Sequence, residues 1–162
     1  MGSPRIPLEP DGVYHIYNHA VGSDNIFKED ENYYFFLRKF SARIACFADV
    51  LSYCLMPNHF HFVLRIKNEK HLEMVWHDKP NKKKLNRSAF YDEIITTQFA
   101  NLFNSYVQAF NRKYFRQGTL LKESFQRKRI DTNEYLIKVI CYLHNNPVNH
   151  GFAKRESWKY SS

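Results

Sequence analysis

The chain has 162 residues, of which 44% are hydrophobic and 25% are charged, an ordinary composition for one globular domain with a proper core. No apolar run is long enough to cross a bilayer and no basic-then-apolar leader opens the chain, so we exclude a transmembrane protein and expect a cytoplasmic one. The formal net charge of +8 favours a polyanionic partner, and the three cysteines, which lack metal-ligand spacing, fit buried thiols in a reducing compartment.

The first part of the chain predicts an extended segment, a strand and a helix. Residues 1–11 hold three prolines and are predicted to run extended. Residues 13–18 alternate between apolar and other side chains with the period of a strand. A helix is predicted from Asp30 to about Phe47, because apolar residues follow the acidic cap with three-and-four spacing.

Two strands joined by a tight turn are predicted next, at residues 50–55 and 59–66. Pro57-Asn58 supplies the turn chemistry between them. In the second strand one face is wholly apolar, and the other carries His59 and His61 side by side. Two such imidazoles can share one metal ion, but histidines at this spacing are also typical of half-exposed polar positions, so the pair alone does not decide.

The middle of the chain, residues 67–92, is predicted to be a basic variable loop. Its cations cluster near Pro80, at Lys79, Lys82, Lys83, Lys84 and Arg87. A solvated loop and a contact to a DNA backbone remain equal alternatives for this segment. From Glu93 onward, regularly spaced apolar residues predict a long amphipathic helix.

The last two predicted elements are a short strand and a helix, and the order of all the elements indicates a fold. Residues 125–130 predict a short, very basic strand, and a final helix is predicted from Asn133 to about Asn145, ended by Pro147. The order strand, helix, strand, strand, helix, strand predicts an α+β, ferredoxin-like (RRM-like) fold: an antiparallel four-stranded sheet with two crossover helices on one face. The histidine pair then lies on the other face, where the final helix is free to pack.

That final helix presents a polar stripe and a packing stripe. Tyr135, Lys138, Tyr142 and Asn146 share the polar one, because they are three or four residues apart. Tyr142 can therefore face the histidine pair, and Asn146 can offer a third metal ligand through its carbonyl oxygen. The alternatives are a core tyrosine with a satisfied hydroxyl and an asparagine that caps the helix before the proline.

Several of these segments resemble one known family. Residues 55–62, Leu-Met-Pro-Asn-His-Phe-His-Phe, resemble the His-hydrophobic-His (HUH) motif of single-tyrosine transposases, and residues 142–148 resemble their tyrosine motif. Residues 118–125 resemble the block before the fourth strand in the REP-associated branch, and residues 14–18 resemble the first strand. The resemblance extends from about residue 12 to residue 161.

The resemblance implies that residues 1–162 form a single HUH transposase-like catalytic domain. It implies a metal-dependent single-stranded DNA endonuclease and strand transferase that acts on hairpin DNA. His59, His61 and Asn146 are implied to hold Mg²⁺ or Mn²⁺, and Tyr142 to form a 5′-phosphotyrosine intermediate. A monomer is favoured by the branch, although other relatives swap the tyrosine helix in a dimer.

Further cations are candidates for contacts to the phosphate backbone. They are Arg112, Lys113, Arg116, Arg127, Lys128 and Arg129. For each one alone, a solvated surface charge is an equal alternative. Two other functions stay open: a non-catalytic nucleic-acid-binding module on the same sheet, which does not need Tyr142, and a metal-dependent phosphoesterase that uses a bound water as the nucleophile.

Overall fold

A computed structural model describes residues 5–76, 87–154 and 158–162, and these residues form four strands and four helices. In chain order the elements are β1 (Val13–His19), α1 (Asp30–Ile44), β2 (Ala48–Met56), β3 (His59–Ile66), α2 (Glu69–Val75), α3 (Arg87–Lys113), β4 (Gln126–Arg129) and α4 (Asn133–Asn149). Across these ranges, no helix has the length and apolar character needed to cross a membrane.

The four strands form one antiparallel sheet in the order β2-β3-β1-β4. In sequence, α1 connects β1 to β2, and α3 lies between β3 and β4; the two helices pack against each other. This arrangement confirms the ferredoxin-like prediction. It also fixes which side chains share a face, because neighbouring residues on a strand point to opposite sides of the sheet.

The larger apolar cluster lies between the sheet and the layer formed by α1 and α3. Phe60 and Phe62 of β3 are 0% and 1% exposed. Their rings lie 5.2 Å from Phe36 and 4.1 Å from Phe40 of α1, and Phe60 also lies 5.4 Å from Phe103 of α3. The predicted apolar face of β3 is therefore the core face, and burial of these rings is a main source of stability.

A smaller apolar cluster lies on the opposite face of the sheet, under α4. Cys54 and Met56 of β2 and Val63 of β3 pack there against Val139 and Leu143 of α4. The last helix therefore packs on the histidine face, where the sequence leaves it free to lie. This packing places α4 over β2 and β3, which determines where its polar stripe lies.

The structure corrects the prediction of a loop at residues 67–92, because both ends of that segment are helical. The helix α2 was missed since only Leu72 on it is buried, which leaves no periodic apolar pattern in the sequence. It begins where the Asn68 side chain accepts a hydrogen bond from the His71 backbone N–H at 2.9 Å. The lysines near Pro80, at positions 79, 82, 83 and 84, lie outside the described residues.

Two predicted helix ends are also wrong. The helix α1 ends at Ile44, and the chain turns before β2 begins at Ala48. The helix α4 does not stop at Pro147 but continues to Asn149. A proline near the end of a helix removes only one backbone hydrogen bond, and its own carbonyl here accepts from the Phe152 N–H at 2.8 Å.

Candidate functional site

The histidine pair of β3 is buried between the sheet and α4. His59 is 2% exposed and His61 is 3% exposed. Their ring centroids lie 5.2 Å apart and the ring planes are nearly perpendicular. This burial contradicts the alternative of two half-exposed surface histidines.

Strand β1 brings two more histidines to the same face. Its register places Tyr17 opposite His61 and His19 opposite His59. The His19 ring stacks on the His59 ring at 4.8 Å, and His15 Nε2 lies 2.9 Å from His61 Nδ1. Neither residue is among the predicted site residues, although the alternation of β1 places His15 opposite its buried apolar face.

Both histidines of the β3 pair have one ring nitrogen engaged. Asn58 Oδ1 accepts from His59 Nδ1–H at 2.6 Å, which leaves His59 Nε2 with its lone pair. In His61 the Nδ1 atom is engaged with His15, and the buried Nε2 atom has no hydrogen-bond partner among the described residues. Orientation of a ring through one nitrogen, with the other left for an ion, is typical of metal-binding histidines.

Burial makes these imidazoles neutral at pH 7. It lowers the pKa of His59 to about 4, with a smaller contribution from His19 and His150. It lowers the pKa of His15 to about 4 as well, assisted by the Lys128 cation, and the pKa of His61 further. The neutral form is the one that coordinates a metal ion, so the burial suits these residues to that role.

The helix α4 places Tyr142 beside the histidines. Thr132 caps the helix by accepting from the Tyr135 N–H at 3.2 Å. Two turns further on, the Tyr142 ring lies edge-on to His61 with a centroid separation of 5.8 Å. Tyr142 is 47% exposed, which contradicts the alternative of a core tyrosine and leaves its phenol open to a substrate.

Asn146 lies on the same stripe of α4, between Tyr142 and His150. Because the His150 ring lies 4.9 Å from the His59 ring, this stripe follows the histidine pair along the sheet. Asn146 is 1% exposed, and its buried Nδ2 atom has no partner in the described part of the chain. The amide can turn to present its oxygen at that position, so the orphaned atoms of Asn146 and His61 fit a bound cation.

The histidines that β1 and α4 add do not complete a metal site of their own. Within residues 5–76, 87–154 and 158–162, no three or more His, Cys, Asp or Glu side chains are arranged to hold a metal ion. If the histidine pair binds a metal ion, any further protein ligand would come from another residue type. The amide of Asn146 is a donor of that kind.

A groove of about 390 Å³ opens beside Tyr142. Its lining residues are His15, Tyr17, His19, His61, Lys128, Tyr135, Lys138, Val139 and Tyr142. Two lysines and three tyrosines thus line the groove together with three histidines. Such a combination of cations and exposed aromatic rings suits a phosphate-linked chain with unpaired bases.

Comparison with known proteins identifies a structural neighbour. No protein-family model and no curated protein matches this sequence. Among solved structures, the chain is similar to one described as the structure of "the REP associates tyrosine transposase bound to a REP hairpin", with a TM-score of 0.69 and 12% identity over 99% of this chain and 82% of that one. The chain has a transposase-like fold.

Of the six predicted phosphate-contacting cations, the structure brings Lys128 to the site. Lys128 pairs with His15 across β4 and β1, so its side chain lies on the histidine face. Arg112, Lys113 and Arg116 lie at or just after the end of α3, which covers the other face of the sheet. Lys113 pairs with Glu29 at 2.6 Å and with Glu31 at 2.5 Å.

The structure contradicts the prediction for Arg127. Its side chain is 3% exposed, and its guanidinium lies 2.5 Å from the Asp92 carboxylate and 3.0 Å from Thr96 Oγ1 of α3. It therefore anchors β4 to α3 inside the protein. Two other predicted cations are engaged in the same way but nearer the surface: Arg129 pairs with Glu9 and Asp131, and Arg116 with Asp24.

Proposed function

We propose that this protein is a metal-dependent single-stranded DNA endonuclease and strand transferase of the tyrosine transposase type. The observation that carries the proposal is the exposed Tyr142 phenol, edge-on to a buried, neutral histidine pair in which His61 Nε2 has no partner within the described ranges. The fold supports it, since a similar structure is that of a tyrosine transposase bound to a REP hairpin. Hairpin DNA with unpaired flanking bases is the proposed substrate.

The proposed metal ligands are His59, His61 and Asn146, and the proposed ion is Mg²⁺ or Mn²⁺. When bound, the ion would neutralise charge on the scissile phosphate. Imidazole nitrogens bind Mn²⁺ better than Mg²⁺, so Mn²⁺ is expected to bind more tightly in vitro. His59 and His61 already present neutral rings held by other bonds, which reduces the cost of ordering them on binding.

Tyr142 is proposed as the nucleophile. Its phenol oxygen attacks the scissile phosphorus and loses its proton, and a new Tyr–phosphate ester forms at the 5′ side of the break. The bond from phosphorus to the 3′ oxygen breaks, and that oxygen leaves as a 3′-hydroxyl. Since the ester retains a phosphodiester linkage, a 3′-hydroxyl of another strand can later displace Tyr142 and complete strand transfer.

The groove beside Tyr142 supplies the proposed contacts to the DNA strand. Lys128 and Lys138 line it and would contact phosphates on either side of the scissile one. Tyr17 and Tyr135 line the same groove and offer rings on which unpaired bases can stack. The substrate strand would thus run between β4 and α4.

A monomer is proposed as the active form. Tyr142 lies beside His61 of its own chain, with ring centroids 5.8 Å apart. One chain therefore supplies both the proposed metal ligands and the nucleophile. An exchange of α4 between two chains is not needed to assemble the site.

A metal-dependent phosphoesterase is the second candidate, because the histidine pair can activate a water without Tyr142. One assay separates the two functions. A labelled hairpin oligonucleotide is incubated with the protein and Mn²⁺, and the products are resolved under denaturing conditions. For the tyrosine nucleophile we expect a labelled protein band that disappears when a chelator is added. Cleavage without such a band would favour the phosphoesterase.

A further inference from the structure

A buried hydrogen bond joins the proposed metal ligand His61 to a residue outside the ligand set. His15 on β1 is 7% exposed, and its Nε2 atom lies 2.9 Å from His61 Nδ1. We propose that His15 is a positioning residue, which holds His61 as the Nδ1–H tautomer and so leaves His61 Nε2 free to bind the metal ion. The metal-binding part of this inference rests on the function proposed above.

The direction of the hydrogen bond decides what His61 Nε2 can do. Between two neutral imidazoles, one nitrogen donates and the other accepts. If His61 Nδ1 accepted, the ring hydrogen would be on Nε2, where a buried N–H faces no acceptor in the described residues. Buried N–H groups without an acceptor are rare because they are costly. If His61 Nδ1 donates instead, Nε2 carries a lone pair, which a cation can satisfy.

The rings of His59 and His61 are oriented by hydrogen bonds to different kinds of partner. Asn58 Oδ1 holds His59 and can only accept, so the tautomer of His59 is fixed by a carbonyl oxygen. His61 depends on a second imidazole, which must itself carry its hydrogen on Nδ1 in order to accept through Nε2. The same bond removes His15 from the ligand set, because its Nε2 lone pair is already used.

Three substitutions of His15 separate the hydrogen bond from the packing. In His15→Gln the amide oxygen reaches the position of the imidazole Nε2 and can still accept from His61. In His15→Asn the side chain is one carbon shorter, so its amide lies near the Nδ1 position instead. In His15→Phe the ring fills the space without an acceptor. If His15 only fills space, His15→Phe should disturb His61 least of the three substitutions. If His15 positions His61, His15→Gln should disturb it least.

The tautomer is read in the metal-free protein by ¹⁵N NMR of the imidazole rings, with each ring assigned through correlations to its own backbone. We expect His61 to carry its hydrogen on Nδ1 in the wild type and in His15→Gln, and to shift towards Nε2–H in His15→Asn and His15→Phe. A wild-type His61 with its hydrogen on Nε2 overturns the inference, whatever the protein binds or cleaves.

Calorimetric titration with Mn²⁺ alone tests the consequence. Loss of an outer hydrogen bond of this kind typically weakens metal binding by about 10–100-fold. We expect that loss in His15→Phe and His15→Asn, and an affinity within about threefold of wild type in His15→Gln. Unchanged Mn²⁺ affinity in His15→Phe overturns the inference. If the wild type binds no Mn²⁺ while His61 is still Nδ1–H, the metal site of the proposed function fails and the tautomer control by His15 stands.

Discussion

At the scale of single residues, the site depends on imidazoles kept neutral by burial and oriented by neighbouring side chains. The face of β3 that carries His59 and His61 could be predicted from the sequence, because strand alternation alone assigns it. Alternation along β1 assigns His15 and His19 to a face in the same way, but which residues of β3 they meet could not be predicted, since that depends on the register between β1 and β3. Register describes how two strands pair in the folded sheet, so the sequence of one strand alone does not determine it.

Replacement of His61 by alanine tests whether the imidazole is a ligand or a packing residue. We expect His61→Ala to lose Mn²⁺ binding in calorimetry and to lower the free energy of unfolding by about 1–3 kcal/mol, as for other buried truncations. The protein should still fold, because His61 lies outside the larger apolar cluster. Wild-type Mn²⁺ binding by the variant would remove His61 from the ligand set.

Arg127 and Lys128 are neighbours on β4, and their substitutions form a matched pair for measuring the free energy of unfolding. Arg127→Met removes one partner of a buried ion pair with Asp92 and is expected to lower the free energy of unfolding by about 3 kcal/mol. Lys128→Met changes an exposed side chain on the other face and is expected to stay within about 0.5 kcal/mol of wild type. Urea denaturation of both variants measures this, and equal stabilities would contradict the two assigned faces.

At the scale of elements, α4 is the part of the fold that turns a sheet into a candidate active site. Its packing stripe could be predicted from periodicity, but its extent could not. The Pro147 signal predicted an end before Asn146, whereas the helix tolerates a proline in its last turn and brings His150 to His59. The short helix α2 could not be predicted because it buries almost none of its side chains, so its sequence carries no periodic apolar pattern.

The contact beneath α4 can be weakened without touching the site residues. Leu143 is 0% exposed and packs on the sheet, so Leu143→Ala is expected to cost about 2–5 kcal/mol of stability. Ile137, on the same helix, is 62% exposed, so Ile137→Ala is expected to change stability by no more than about 0.5 kcal/mol. Chemical denaturation compares the two; similar losses would mean that α4 does not dock on this face.

At the scale of the whole molecule, the count of 24 lysines and arginines overstates the cations available to DNA. Arg116, Arg127 and Arg129 are already paired with carboxylates, and so is Lys113. The sequence shows the charge but not these pairings, which arise from residues far apart in the chain. The accessible positive charge on the histidine face includes Lys128 and Lys138.

Affinity for single-stranded DNA should therefore fall with salt, and Lys128 should contribute to the slope. Each phosphate contact on a single strand contributes about −0.7 to the slope of log affinity against log salt concentration. We expect Lys128→Met to make the slope shallower by about that amount, and Arg112→Met, on α3 across the sheet, to leave it unchanged. Fluorescence anisotropy at several salt concentrations measures both, and a salt-independent affinity would contradict the electrostatic account.

The proposed nucleophile is tested by identifying the residue that becomes linked to DNA. Wild type, Tyr142→Phe and Tyr135→Phe are each incubated with Mn²⁺ and a labelled hairpin oligonucleotide, and the adduct is digested and mapped by mass spectrometry. Tyr135 is the matched control, because it lies on the same stripe and lines the same groove. We expect an adduct on Tyr142 in the wild type and in Tyr135→Phe, and none in Tyr142→Phe. An adduct that persists in Tyr142→Phe, or maps to Tyr135, would contradict this expectation.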